Sequence, residues 1–541
     1  MIASDGIKHS YRYSDASFYL QDSIQLYPRL TINAGLRWDY LGLPTDSTGN
    51  MSNFWPSLTS SWSVPQSAGT YVGFAVPSNY QGTMPAGVTR NGRITSVPRG
   101  ASSSNFAPRV GFSLQPLHSS SMVVRGGYGM FYDRSMSWDT LQQSIAAVPY
   151  AVPVGGIGQA NYQASLATPF RTATLGWGAP RSVDLIAGES SNLSLYILDE
   201  NFRTPLTHKW NLEIQQQLPL GIMMNIGYAG AHSIHLQNAI RQLNVPDLAS
   251  PTHPVYGITQ STVKNASMRV PYLGLAPNGL NADQTQGSAK YNGLQASVAQ
   301  RSSNGLRIQA SYMFSKTLSN LGAAPSTTGG GNGNGLSSTG MNSNNPLDAR
   351  QQYGPAPTAA PQRLALNYGW DLPIKLHGFS GKILNGWGFS GTAVIQSGTP
   401  MTISDSRGGS IYGNVSISRA QFCPGMGPKN AATPGGVKDR LNGYFDKSAF
   451  CVPPPISDGT GFGNSSVGFI RGPGQTNVDF SVTRGVELKG SKIEFRIEFF
   501  NVFNHAQFSP PNANVSDGTF GQISGTSVNP RLIQFALKYS F

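Results

Sequence analysis

From Leu30 to Tyr40 the chain alternates without a break: Leu30, Ile32, Ala34, Leu36, Trp38 and Tyr40 are separated by Thr31, Asn33, Gly35, Arg37 and Asp39. A period of two gives an extended segment one apolar and one polar face, which is a strand between two different media. The pattern returns in Met122, Val124, Tyr128, Met130 and Tyr132, in Trp210, Leu212 and Ile214, and in Leu306, Ile308, Ala310, Tyr312 and Phe314. It returns again in Ile493, Phe495, Ile497 and Phe499, and in Ile533, Phe535, Leu537, Tyr539 and Phe541 at the end. About thirteen strands follow, near 15–26, 30–40, 106–115, 122–133, 208–218, 221–231, 291–301, 306–316, 361–372, 385–397, 476–484, 491–503 and 531–541.

Short turns rich in Pro, Gly, Asn and Ser join these strands at Tyr27-Pro28-Arg29, 116–121, 218–221, 302–305 and 485–491. Long connections run through 42–104, 134–207, 232–290, 317–360, 398–475 and 504–530. A compact soluble domain rarely carries so many long loops, whereas a transmembrane β-barrel has short turns at its periplasmic end and long loops outside. The reading is an all-β, antiparallel outer-membrane barrel. Strands of about ten residues suit the membrane thickness. Trp38, Tyr40, Tyr132, Trp210, Tyr228, Tyr312, Phe314, Trp370 and Trp387 suit the interfacial girdles. Arg37, Arg125, Glu213, Arg307, Glu494, Arg496 and Glu498 suit a wet lumen. A β-sandwich, with those charges on its solvent face, is the competing reading.

Composition excludes other classes. Charged residues are 12% of 541, Gly numbers 63, and no apolar run is long enough for a membrane helix. The net charge of +13 is spread without the Lys/Arg clusters that neutralise a phosphate backbone, so nucleic acid is not the expected partner. The segment from Met1 to Gly6 lacks the basic and apolar regions of a signal peptide. With the last strand ending in the periplasm, strand 15–26 runs the same way, so the count is odd. A single-chain barrel needs an even number. The expectation is that residues 1–541 are the C-terminal part of a longer barrel protein, with further strands ahead of Asp15.

The segments Phe106-Ala107-Pro108-Arg109-Val110-Gly111-Phe112, Val124-Arg125-Gly126-Gly127-Tyr128-Gly129, His208-Lys209-Trp210-Asn211-Leu212 and Tyr291-Asn292-Gly293-Leu294-Gln295 occur in this order. They are followed by Gln396-Ser397-Gly398-Thr399-Pro400, Arg471-Gly472-Pro473-Gly474 and Glu498-Phe499-Phe500-Asn501-Val502-Phe503-Asn504-His505. This ordered set resembles the barrel of Oar-like TonB-dependent transporters. The resemblance implies a large outer-membrane receptor with a signal peptide, a small β-domain and a plug that contacts TonB, none of which precedes Met1 here. It also implies a terminal aromatic row, Ile533, Phe535, Leu537, Tyr539 and Phe541, read by the barrel-assembly machinery. The expected function is ligand capture and uptake. A surface adhesion or envelope-organising protein that uses the barrel as an anchor is the alternative.

Cys423 and Cys451, the only cysteines, lie in one long loop and are expected to pair in an oxidising compartment. Lys492, Glu494, Arg496 and Glu498 read as a lumen charge ladder, and Asp39 and Asp133 as carboxylates paired with nearby cations. His232 and His235 are three apart, on opposite sides of a strand, with no further ligands, so no metal site is expected. The run Gly329 to Gly335 lacks the Lys-Ser/Thr of a phosphate loop and reads as a mobile external segment. No catalytic motif is present, and neither an enzyme nor a cofactor is expected. Loops 42–104, 134–207 and 398–475 are the expected ligand contacts, since they are long and hold clustered Tyr, Trp and Asn. Lipopolysaccharide phosphates are a further expected partner of the excess positive charge.

Overall fold

A computed structural model describes residues 2–4, 10–59, 72–84, 86–91, 102–117, 121–134, 151–153, 195–236, 239–273, 275–301, 304–321, 344–345, 348–413, 418–488 and 490–541. Thirteen long strands form its main sheet: β1 Asp15–Tyr27, β2 Leu30–Leu41, β3 Asn105–Leu114, β4 Met122–Tyr132, β5 Leu206–Leu218, β6 Ile222–Leu236 and β7 Gly287–Arg301. The rest are β8 Leu306–Ser319, β9 Gln362–Asp371, β10 Trp387–Gln396, β11 Gln475–Leu488, β12 Ser491–Phe500 and β13 Leu532–Ser540. They lie side by side in chain order, each antiparallel to the next, and a two-residue strand, Gly354–Pro355, also pairs with β8. The sheet is open, with β1 and β13 at its two edges.

Each tight turn has a local cause. Between β5 and β6, Leu220 and Gly221 adopt φ of 64° and 70°, as a hairpin turn matched to strand twist demands. The β9–β10 connection departs from a simple turn: it holds the short helix α1, Gly378–Leu384. About two turns, opened by glycine, leave too little periodicity to separate from an irregular loop.

Register puts every apolar row on one face. Leu36 of β2 lies opposite Leu20 of β1 and Pro108 of β3. Leu212, Tyr228, Leu294 and Phe314 form a continuous row from β5 to β8. Val482, Ile497 and Phe535 form another from β11 to β13. This face is not covered by protein: Phe18, Leu20, Leu212, Leu294, Phe314, Phe535 and Leu537 are all exposed. The three buried hydrophobic clusters draw no residue from the thirteen strands. A sandwich buries its apolar face against a second sheet; here that face remains open, as a wall facing acyl chains must.

Bare backbone on this face is covered by neighbouring rings. A Cβ at Gly230 would lie 2.2 Å from the Trp210 indole, so the glycine is what lets the ring lie flat across the ladder. Gly230→Val is expected to force Trp210 off and cost about 1–3 kcal/mol by overpacking. Gly443→Ala, where nothing lies within 4 Å, is expected to be neutral. Urea midpoints of both variants in lipid vesicles check this.

The long connections gather on one end of the sheet as a folded cap. One cluster packs Phe54, Phe74, Ile197, Tyr272 and Leu280 from three loops. A second packs Ile403, Phe422, Phe445, Phe450 and Phe520 from two. The expected external loops are therefore packed against each other over their described residues, and buried polar groups bridge them. The Arg269 guanidinium is fully buried and donates to Asn265 Oδ1 at 2.8 Å, to Ile411 O at 2.7 Å, to Thr262 O and to Asp247 O. Burial lowers its pKa. Asn344 donates to Gly463 O at 3.0 Å, and Arg419 donates to Gln351 O at 2.6 Å. Burial brings the Arg419 pKa down to about 10, so it stays charged at neutral pH.

Candidate functional site: the polar wall and its cap

The face opposite the acyl-facing one carries the charges. Arg37 pairs with Asp39 at 2.8 Å, and Arg307 with Asp371 at 2.9 Å. Arg125 donates to Gln215 Oε1 at 2.7 Å and stands directly across from Glu213. Along β12, Arg496 reaches Glu494 at 2.9 Å and Glu498 at 3.6 Å, while Lys492 reaches back to Glu487 at 3.8 Å. Lys492, Glu494, Arg496 and Glu498 thus share one face, and Lys538 of β13 stands opposite Glu494. These pairs are largely exposed, so each contributes no more than about 1 kcal/mol. They leave this face polar.

Two hollows on the sheet are bounded mainly by polar-face residues, one by Gln21, Asn33, Arg37 and Arg109, the other by Asn211, Glu213, Ser297, Ser311 and Arg363. The concave side is therefore the polar one. Near the cap end of this wall, Phe131 lies between two cations: the Arg109 guanidinium is 4.4 Å from its ring centre and the Lys209 ammonium 5.1 Å. This cation–aromatic cluster was not singled out from sequence. Phe131 interrupts the polar alternation of β4, and that interruption was the available signal.

The remaining expected residues fall as follows. Cys423 and Cys451 are joined by a disulfide in the cap, beside the Phe422–Phe450 ring stack. Reducing it is expected to cost about 3–4 kcal/mol, from the chain entropy of a loop this size. The loss should be read as faster hydrogen exchange within the cap while β1–β13 stay protected. Ile533, Phe535, Leu537 and Tyr539 form one acyl-facing row on β13, and Phe541 follows, fully exposed. Asp133 departs from expectation. Its carboxylate accepts from the Arg134 backbone amide, and the Arg134 side chain pairs with Asp15 instead. His232 stands in the acyl-facing row between His208 and Lys290, and His235 sits in a bulge at φ 56°. Among the described residues no group of three His, Cys, Asp or Glu could hold a metal. Gly329 to Gly335 and most of 134–207 lie outside the described residues.

Long antiparallel strands with an uncovered apolar face, a charged concave face and the described parts of the long loops at one end define a membrane β-barrel wall. The chain belongs to the outer membrane beta barrel domain family, whose profile matches residues 3–534. Its place is the bacterial outer membrane. No curated protein matches the sequence. Among solved structures it is similar to the outer membrane transporter YddB from Escherichia coli, at 12% identity and TM-score 0.43, covering 97% of this chain and 45% of that one. It is also similar to the FrpB iron transporter from Neisseria meningitidis, at 10% identity and TM-score 0.41, covering 99% and 46%. A third is BauA, the ferric preacinetobactin receptor from Acinetobacter baumannii, at 11% identity and TM-score 0.39, covering 98% and 43%. The chain spans less than half the length of each of these structures.

Proposed function

We propose that this chain is barrel wall and cap of an Oar-like, TonB-dependent outer-membrane receptor that captures a ligand outside the cell and passes it inward. The observation that carries the reading is the polar concave wall, continuous from β1 to β13 beneath a folded cap. An anchor alone needs the acyl-facing surface but has no use for a wet interior.

β1 and β13 run in the same direction, so an antiparallel closure takes an odd number of further strands. Unpaired edges in hydrocarbon cost several kcal/mol per group. We therefore read residues 1–541 as part of a longer protein, and the reading frame ahead of Met1 is expected to encode the missing strands, a plug and a TonB-contact segment. The cap then faces outside, and its loops 42–104 and 398–475 make ligand contacts. The Arg109–Phe131–Lys209 cluster offers an inward-moving anion its first luminal foothold. No catalytic role is assigned to any residue, and the barrel-assembly machinery reads the row ending at Phe541.

Cells carrying the full-length protein test this against the adhesion reading. Transport predicts ligand accumulation that stops when TonB is removed, while surface binding persists. An adhesion protein gives surface binding without accumulation in either strain.

A further inference from the structure

The acyl-facing rows of the thirteen strands carry six Asp, His, Lys or Arg residues: Asp22, His208, His232, Lys290, Lys316 and Arg484. Four of the six converge. His208, His232 and Lys290 stand directly abreast on β5, β6 and β7. Lys316 of β8 lies one step diagonally from Lys290, abreast of Asn292. Adjacent strands are about 4.8 Å apart, so the four groups span roughly 15 Å.

Their depth is fixed by the rows beneath them. Next towards the membrane centre come Trp210 and Asn292, and then the row Leu212, Tyr228, Leu294 and Phe314, whose one polar side-chain group is the Tyr228 hydroxyl. The cations therefore stand where acyl chain gives way to headgroup, on the cap side. Tyr128 and Tyr228 add hydroxyls at the same boundary, held by His208 Nδ1 at 2.7 Å and Asn292 Oδ1 at 2.6 Å. Both lysine side chains are exposed. The one carboxylate on this face, Asp22, is on β1, four strands away from β5. Single lysines at a membrane boundary are ordinary snorkelling. Four basic or imidazole groups on four successive strands, with none at that level on the other nine, form a concentrated site for phosphate.

We propose that the outward face of β5–β8 is a docking site for a phosphate-bearing glycolipid of the outer leaflet, of lipid A chemistry. His208, His232, Lys290 and Lys316 meet its phosphates, and the Leu212–Phe314 row meets its acyl chains. The proposal rests on the reading that the cap faces outside.

The test uses the full-length protein purified from outer membranes and native mass spectrometry with bis-phosphorylated lipid A, its dephosphorylated form and phosphatidylglycerol. The wild type is expected to retain the bis-phosphorylated lipid more than tenfold better than either of the others. Lys290→Gln/Lys316→Gln is expected to lose that preference, Lys290→Arg/Lys316→Arg to keep it, and Arg484→Gln, at the turn side, to leave it unchanged. Heat-modifiable migration on gels reports that each variant folds. Equal retention of the three lipids by wild type, or a preference untouched by the double Gln variant, would overturn the site. The orientation is read independently, by protease access to the cap on intact cells. A cap cleaved only after the outer membrane is opened contradicts the orientation, whatever the lipid result.

Discussion

Ile226→Arg combined with Phe535→Arg is expected to abolish stable insertion of the chain into lipid. Both side chains are exposed on the acyl-facing side and lie in wholly apolar rows, Ile226 of β6 between Ile214 and Ala296 and Phe535 of β13 beside Ile497. An arginine at the bilayer midplane of a barrel costs about 2–4 kcal/mol. The two sites are several strands apart, so their costs should add to roughly 4–8 kcal/mol, comparable with the whole stability of an ordinary domain. Ser297→Arg, on the polar face of β7, places the same charge in water and is expected to change little. Urea unfolding in vesicles, followed by heat-modifiable migration, reads both variants.

The second large effect belongs to the cap. Phe520 reaches from loop 504–530 into loop 398–475, with ring centres 5.4 Å from Phe445 and 5.8 Å from Phe450. Truncating a buried aromatic side chain costs about 3–5 kcal/mol, and here the loss falls on the contact that holds two loops together. Phe520→Ala is expected to raise hydrogen exchange across residues 403–470 and 512–523 by two or more orders of magnitude. Protection along β1–β13 should be unchanged, because the cap clusters and the sheet share no residues. Exchange that rises equally in the strands would mean that cap and wall unfold as one unit.

The wall was legible in the sequence because each of its faces meets one uniform medium. Leu30 to Tyr40 needs no partner to declare itself: apolar and polar simply alternate. The cap obeys no such rule. Phe54 and Leu280, or Phe422 and Phe520, lie far apart in the chain and meet only through long-range packing, which leaves no period behind. The lipid-facing cations fall between these cases. His208, His232, Lys290 and Lys316 occupy the apolar parity of their strands, so each looks like a single flaw in a pattern. Only the hairpin register, set by turns such as Leu220-Gly221, shows that three stand abreast and the fourth lies on the adjoining diagonal. The short helix α1 escaped for another reason: seven residues with two glycines, Gly378 and Gly381, present no helical stripe long enough to read.

The central claim is that the even-numbered residues of β7 face acyl chains and the odd-numbered ones face water. Single cysteines at 294, 295, 296, 297 and 298 carrying a small fluorophore, with the protein in vesicles, test it directly. The account predicts quenching by acyl-chain nitroxides at 294, 296 and 298, and quenching by iodide at 295 and 297. Positions 294, 296 and 298 shielded from both quenchers, as in a face packed against protein, would contradict it.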